Sequence, residues 1–220
     1  MEFLEAKKIM EQKMGDWKIM ALASCEDNYP MVRNVSCLFY NDKIYFKTDK
    51  NFILVDPVMG DHGKLYPTYT QEMQEKMREL MPYATIVTPN LTELCALIDE
   101  TYHETTDKEE LSRMCQKLSK MGPQYIVVTG ISVDDQILNF IYDHGHIEML
   151  YVKRVGEDRS GTGDVISAVI AGSYLKEKNF LEAVKKSTDF ASKCIKHSVD
   201  IDAHPHMGLC FEPLLKELRD

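Results

Sequence analysis

The spacing of apolar positions changes abruptly near residue 51. In residues 2–14, Phe3, Ala6, Met10 and Met14 recur at steps of three and four, one face of an amphipathic helix. Residues 17–24 (WKIMALAS), 31–40 (MVRNVSCLFY) and 43–48 (KIYFKT) are strand-like runs. The turn formers Asn28-Tyr29-Pro30 and Asn41-Asp42 separate them. Residues 1–50 thus predict a helix followed by a short antiparallel β-meander. Beyond that point, short continuously apolar runs alternate with amphipathic stretches. Strands are expected at 52–55, 84–88, 125–129, 136–142 and 147–153, with the third ending at Gly130. Helices are expected at 71–81, 91–99, 108–121, 162–177 and 180–197. Buried-type strands alternating with amphipathic helices predict an α/β fold, a mainly parallel sheet flanked by helices.

The break near Lys50-Asn51 carries no Gly/Ser/Pro linker. Two segments follow from the change of pattern, 1–50 and 51–220. At 220 residues the chain is long enough to bury a full core without a metal or disulfide. Its net charge of −9 repels phosphate backbones, so nucleic acid is not an expected partner. Any phosphate ligand must then be held by local devices. No run approaches the roughly 18 apolar residues of a membrane span, and the first residues lack a signal-peptide core. Cys25, Cys37, Cys95, Cys115, Cys194 and Cys210 are scattered and form no CxxC pair, which suits a reducing cytoplasm.

Four loops carry candidate chemistry. Ser160-Gly161-Thr162-Gly163-Asp164 opens an apolar helix. Its glycines allow close backbone approach to a ligand, and free N–H groups at a helix start bind anions. Asp164 in that first turn reads either as a general base beside the anion site or as a helix cap. Asp56-Pro57-Val58-Met59-Gly60-Asp61 follows a strand, where open parallel sheets bind ligands. Its two carboxylates read as Mg²⁺ holders or as a solvated turn. Thr88-Pro89-Asn90-Leu91-Thr92-Glu93 leads from a strand into a helix. Asn90 and Glu93 either share one site or form a capping arrangement. Thr129-Gly130 ends another strand. All four would lie on one sheet edge, and together they fit phosphoryl transfer from a nucleotide with a divalent metal. Neither a G-x-x-x-x-G-K-[ST] loop nor a G-x-G-x-x-G turn is present. The pairs His144/His146 and His204/His206 lack companion ligands in sequence and read as surface or turn histidines.

DPVMGD (56–61), LYP (65–67), TPNLTE (88–93), VVTG (127–130) and SGTGD (160–164) occur in an order and spacing that resemble the C-terminal part of pyridoxal kinases, of the ribokinase-like superfamily. The resemblance covers residues 53–220. It implies a truncated ribokinase-like fold and transfer of the ATP γ-phosphate to the 5′-hydroxyl of pyridoxal, pyridoxine or pyridoxamine. On that resemblance Asp164 would be the base, and Gly161, Thr162 and Gly163 the anion hole. Asp56, Asp61 and Glu93 would position Mg²⁺ and the ATP phosphates. Thr88 would lie near a monovalent-cation or phosphate site, Asn90, Thr129 and Gly130 would contact ATP, and Tyr66 would lie by the substrate. A cytoplasmic homodimer is expected. The family's earlier substrate half is not recognisable in this sequence. Residues 19–51 instead resemble the start of split-barrel flavoproteins of the pyridoxamine 5′-phosphate oxidase type. There Arg33 and Lys50 would fall near an FMN phosphate. Three strands cannot close a barrel, so bound FMN is not expected. An FMN- or B6-phosphate-binding module and an inactive fused remnant are the alternative readings.

Overall fold

The computed structural model describes residues 18–26, 29–40, 43–47, 52–204 and 207–218. The chain divides into two compact units, Met1–Phe52 and Ile53–Asp220. In the first, β1 (Lys18–Glu26), β2 (Tyr29–Tyr40) and β3 (Lys43–Lys47) form an antiparallel sheet in the order β1-β2-β3. The expected meander is therefore present. The helix expected at 2–14 lies outside the described residues, as does Lys50.

The second unit is built on a five-stranded sheet. Its strands are β4 (Leu54–Val55), β7 (Ile86–Val87), β8 (Tyr125–Val133), β9 (Gln136–Asp143) and β10 (His146–Lys153). A small hairpin, β5 (Gly60–Asp61) and β6 (Lys64–Leu65), lies between β4 and β7 in sequence. The sheet order is β10-β9-β8-β7-β4. β4, β7 and β8 run parallel, and β9 and β10 fold back as an antiparallel edge. The helices are α1 (Gln71–Leu80), α2 (Leu91–Ile98), α3 (Lys108–Ser119), α4 (Thr162–Glu177) and α5 (Phe180–Asp200). This is the expected α/β architecture of parallel strands flanked by helices.

Two details depart from the sequence pattern. β8 continues past Gly130 to Val133, because Thr129 and Gly130 form a bulge rather than a strand end. Gly130 has φ +75°, and the bulge absorbs the extra residue before pairing with β9 resumes at Ile131. The hairpin β5–β6 replaces part of what reads as a plain turn. At Gly60 an added Cβ would overlap the backbone of Lys64, so only glycine allows that strand contact.

The core explains the placement of the loops. Ile86, Val87, Ile126, Val127 and Val128 are fully buried, as continuously apolar parallel strands require. Leu94, Leu97, Leu111, Met114 and Leu118 project from α2 and α3 into one cluster with Val87, Ile126 and Val128, joined by Phe140 and Leu138 from β9. A second cluster joins Val165 and Val169 of α4 to Phe190 and Cys194 of α5. Helix starts are capped where the sequence offers a cap. Thr70, Asn90, Asp107 and Asn179 each accept a backbone N–H from the first turn. The buried cysteines Cys95, Cys115 and Cys194 are free thiols, as their scatter implies.

Leu94 is fully buried in α2 immediately beside Glu93. Leu94→Ala is expected to lower unfolding free energy by about 3 kcal/mol, the usual scale for a buried leucine. Urea denaturation measures it; a loss near zero would mean that α2 does not pack as described.

Candidate functional site

The parallel strands point their carboxyl ends toward one cavity of about 580 Å³. It is lined by Asp56 after β4, Thr88 and Asn90 after β7, and Thr129 and Gly130 in β8. Asp61 and Tyr66 of the β5–β6 region, Glu93 of α2, and Gly161, Thr162, Gly163 and Asp164 at the start of α4 complete the wall. Every candidate residue of 51–220 therefore meets in one place. Arg33 lies in β2 of the other unit, and Lys50 is outside the described residues.

Glu93 is the most constrained of these side chains. It is 5% exposed, and each carboxylate oxygen accepts a backbone N–H. Oε1 takes the Met59 amide at 3.0 Å and Oε2 takes the Asn90 amide at 2.9 Å. Asn90 reciprocates, accepting the Glu93 amide on Oδ1 at 2.9 Å and donating from Nδ2 to the Gly60 carbonyl at 2.8 Å. The capping arrangement readable in sequence is thus real. It also ties the loop after β4 to the start of α2, so the cap and the site are one structure. The Gly63 amide adds a tie, donating to Thr92 Oγ1 at 2.8 Å.

Asp56 stands at the centre of a second set of bonds. Thr88 donates to its Oδ1 at 3.0 Å and Ser167 of α4 to its Oδ2 at 2.7 Å. Burial raises the carboxyl above its ordinary range, while the two hydroxyls hold it down and the Asp164 charge pushes it up. Glu93 is raised to about 7, mainly by burial, with its backbone bonds opposing and the Asp56 charge adding to the rise. Tyr66 is also raised, by burial and then by the surrounding carboxylates.

The start of α4 is a helix N-terminus, the kind of place that favours negative charge. Gly161 caps the helix with φ +85°, a left-handed conformation that favours glycine, and supplies no side-chain cap bond. Thr162 turns its hydroxyl back to the Arg159 carbonyl at 2.8 Å. Asp164 is exposed in the first turn and makes no cap bond there, so the cap reading of this residue falls away. Its carboxylate stands at a helix start with no side-chain cap, where the Thr162 amide makes a long 3.4 Å bond to the Arg159 carbonyl and where an anion and a proton acceptor can act together.

Among the described residues no group of three or more His, Cys, Asp and Glu side chains is arranged to enclose a metal. The carboxylates still suit one. Asp56, Asp61 and Glu93 face a single cavity, and Asp56 raises Glu93 by repulsion that a cation would relieve. Mg²⁺ commonly keeps several waters and takes one or two carboxylates plus substrate phosphates, which fits this set.

Two residues in the site carry no motif signal. Ser167 falls inside the apolar run VISAVIAGSYL, and only its i+4 spacing from Gly163 hints that it faces the same turn. Arg159 precedes SGTGD. Its Nη2 donates to the Ala203 carbonyl at 2.9 Å, while Nε and Nη1 are buried with no hydrogen-bond partner among the described residues.

With this geometry in hand, the sequence relations are informative. The family model described as phosphomethylpyrimidine kinase matches residues 32–208, so it begins within β2. A pyridoxine kinase of Bacillus subtilis is 28% identical over 158 residues, 69% of this chain and 56% of that protein. A Bacteroides thetaiotaomicron protein assigned as a candidate phosphomethylpyrimidine kinase, in a crystal form with pyridoxal, superposes with a TM-score of 0.73. It is 30% identical, over 80% of this chain and 63% of that one. Pyridoxal kinase from Staphylococcus aureus in complex with AMP-PCP superposes with a TM-score of 0.58 at 26% identity, covering 66% and 52%. The chain spans a little over half the length of the curated kinases it matches first.

Glu93 sets a pH dependence. With its folded value near 7 against an ordinary 4.5, the native state holds a proton that the unfolded state has released. Stability of the ligand-free protein therefore falls as pH rises through that window, by on the order of 3 kcal/mol at most. Melting curves at pH 5 and pH 7.5 are expected to show a drop in the native protein and a much smaller drop in Glu93→Gln. Equal drops would place the proton elsewhere.

Proposed function

The chain belongs to the phosphomethylpyrimidine kinase family, and from that premise we propose that it transfers the γ-phosphoryl group of ATP to the 5′-hydroxyl of a vitamin B6 vitamer, pyridoxal, pyridoxine or pyridoxamine. The observation that carries this reading is the convergence of four loops on one cavity at the carboxyl ends of parallel strands. A carboxylate, an uncapped helix start, the buried Glu93 and the half-buried Asp56 stand there together.

In this reading Asp164 accepts the proton of the attacking hydroxyl. The backbone N–H groups of Gly161, Thr162 and Gly163 take the charge that grows on the transferring phosphoryl oxygens. Asp56 and Asp61, with Glu93 behind them, would hold Mg²⁺. The ion would neutralise phosphate charge when bound. Asn90, Thr129 and Gly130 line the ATP side and Tyr66 the acceptor side. The relative crystallised with AMP-PCP supports ATP as donor, and the one with pyridoxal supports a B6 acceptor. A hydroxymethylpyrimidine acceptor is the second reading, favoured by a relative named hydroxymethylpyrimidine/phosphomethylpyrimidine kinase and by the phosphomethylpyrimidine kinase family match.

The test is phosphorylation of pyridoxal and of hydroxymethylpyrimidine by the purified chain with ATP, with and without Mg²⁺. Mg²⁺-dependent product from pyridoxal is expected, and Asp164→Asn should lower kcat by about 10²–10⁴-fold, the range for a general base. Product from the pyrimidine alone would select the second reading. No product from either would refute phosphotransfer by this chain.

A further inference from the structure

We propose that Ser167 is a positioning residue that fixes the cation side of the site against the anion side; the proposal rests on the phosphotransfer reading above. Ser167 sits on α4 one turn after Gly163 and is 6% exposed. Its Oγ lies 2.7 Å from Asp56 Oδ2 and 2.6 Å from the Gly163 carbonyl oxygen. A serine hydroxyl has a single proton to donate, so it serves one of these acceptors at a time while its position keeps both in reach. Thr88 Oγ1 is 3.5 Å away and donates to the other oxygen of Asp56.

The consequence is geometric. Asp56 follows β4, while Gly163 belongs to the turn that opens α4, and residues 56 and 167 are 111 apart in sequence. Phosphoryl transfer needs the anion-binding N–H groups and the cation-holding carboxylate at a fixed separation, because catalysis there is mostly positioning and electrostatic stabilisation. Ser167 is the side chain that touches both Asp56 and the Gly163 carbonyl. It lies behind them, so it acts through its neighbours. A misplacement on the scale of 1 Å costs about 10²-fold in such sites.

Ser167→Ala deletes one oxygen at a helix-interior position where alanine is favoured, so the fold should be retained. Ser167→Thr keeps the hydroxyl. Two readouts are taken for each: steady-state kinetics with pyridoxal, and calorimetric titration of AMP-PCP with and without Mg²⁺. For Ser167→Ala, kcat should fall by about 10–100-fold with KM for pyridoxal within about twofold, the pattern of a lost transition-state interaction. The gain in AMP-PCP affinity on adding Mg²⁺ should shrink at least about fivefold, and Ser167→Thr should restore both. The proposal is overturned if Ser167→Ala keeps the kcat and Mg²⁺ response of the native chain. It is equally overturned if a threonine variant with native melting behaviour restores neither. A native chain that binds AMP-PCP with Mg²⁺ yet phosphorylates no acceptor would fail the phosphotransfer reading alone, and the calorimetric arm would still decide on Ser167. A native chain that binds no AMP-PCP would sink both.

Discussion

Glu93 places a buried carboxylate between two backbone amides, those of Met59 and Asn90, and the shape of the site depends on that arrangement. Removing such a group from water is costly, and two N–H bonds offset part of the cost. What the arrangement secures is the position of the loop after β4. Met59 is fully buried beneath that loop, and Gly60 is tied to Asn90. The hairpin β5–β6 and the cavity-facing Asp61 and Tyr66 follow from this anchor. The residual imbalance is electrostatic. Burial above all, with a smaller push from the neighbouring Asp56, leaves Glu93 reluctant to ionise.

The second constraint runs through Asp56. Hydroxyls of Thr88, just after β7, and of Ser167 in α4 converge on it, linking the end of the strand β4 to the helix α4. Glu93 and Asp56 thus organise two halves of one cavity, and on the proposed reading their carboxylates would favour a divalent ion carried in with phosphates. The uncapped start of α4, which lines the same cavity, offers the opposite preference. A ligand with both characters, a metal-bound polyphosphate, is what such a pair of surfaces suits.

Much of this was legible in the sequence, and the reasons differ by element. The apolar run at 125–129 and the amphipathic stretch at 108–121 announced β8 and α3 because burial on both faces, or on one, leaves a clear signal. The loops at 56–61, 88–93 and 160–164 were legible because glycine, proline and acidic residues cluster at element ends. The hairpin β5–β6 was not, since two-residue strands carry no periodicity. The continuation of β8 was hidden because a glycine in a bulge looks like a glycine at a strand end. Ser167 was invisible for another reason. A small hydroxyl in an apolar helix matters only through a partner more than a hundred residues away. The strands β1, β2 and β3 emerged as expected, although the family match that starts at residue 32 was not foreseen from their pattern.

The central claim is that the loop after β4 and the start of α4 are two walls of one metal–nucleotide site. Backbone amide NMR of the chain, titrated with AMP-PCP in the presence of Mg²⁺, addresses it directly. The amides of residues 58–63 and 161–164 should shift together, with one apparent affinity that weakens when Mg²⁺ is withdrawn. Shifts confined to one of these loops, or two loops responding with separate affinities, would contradict it.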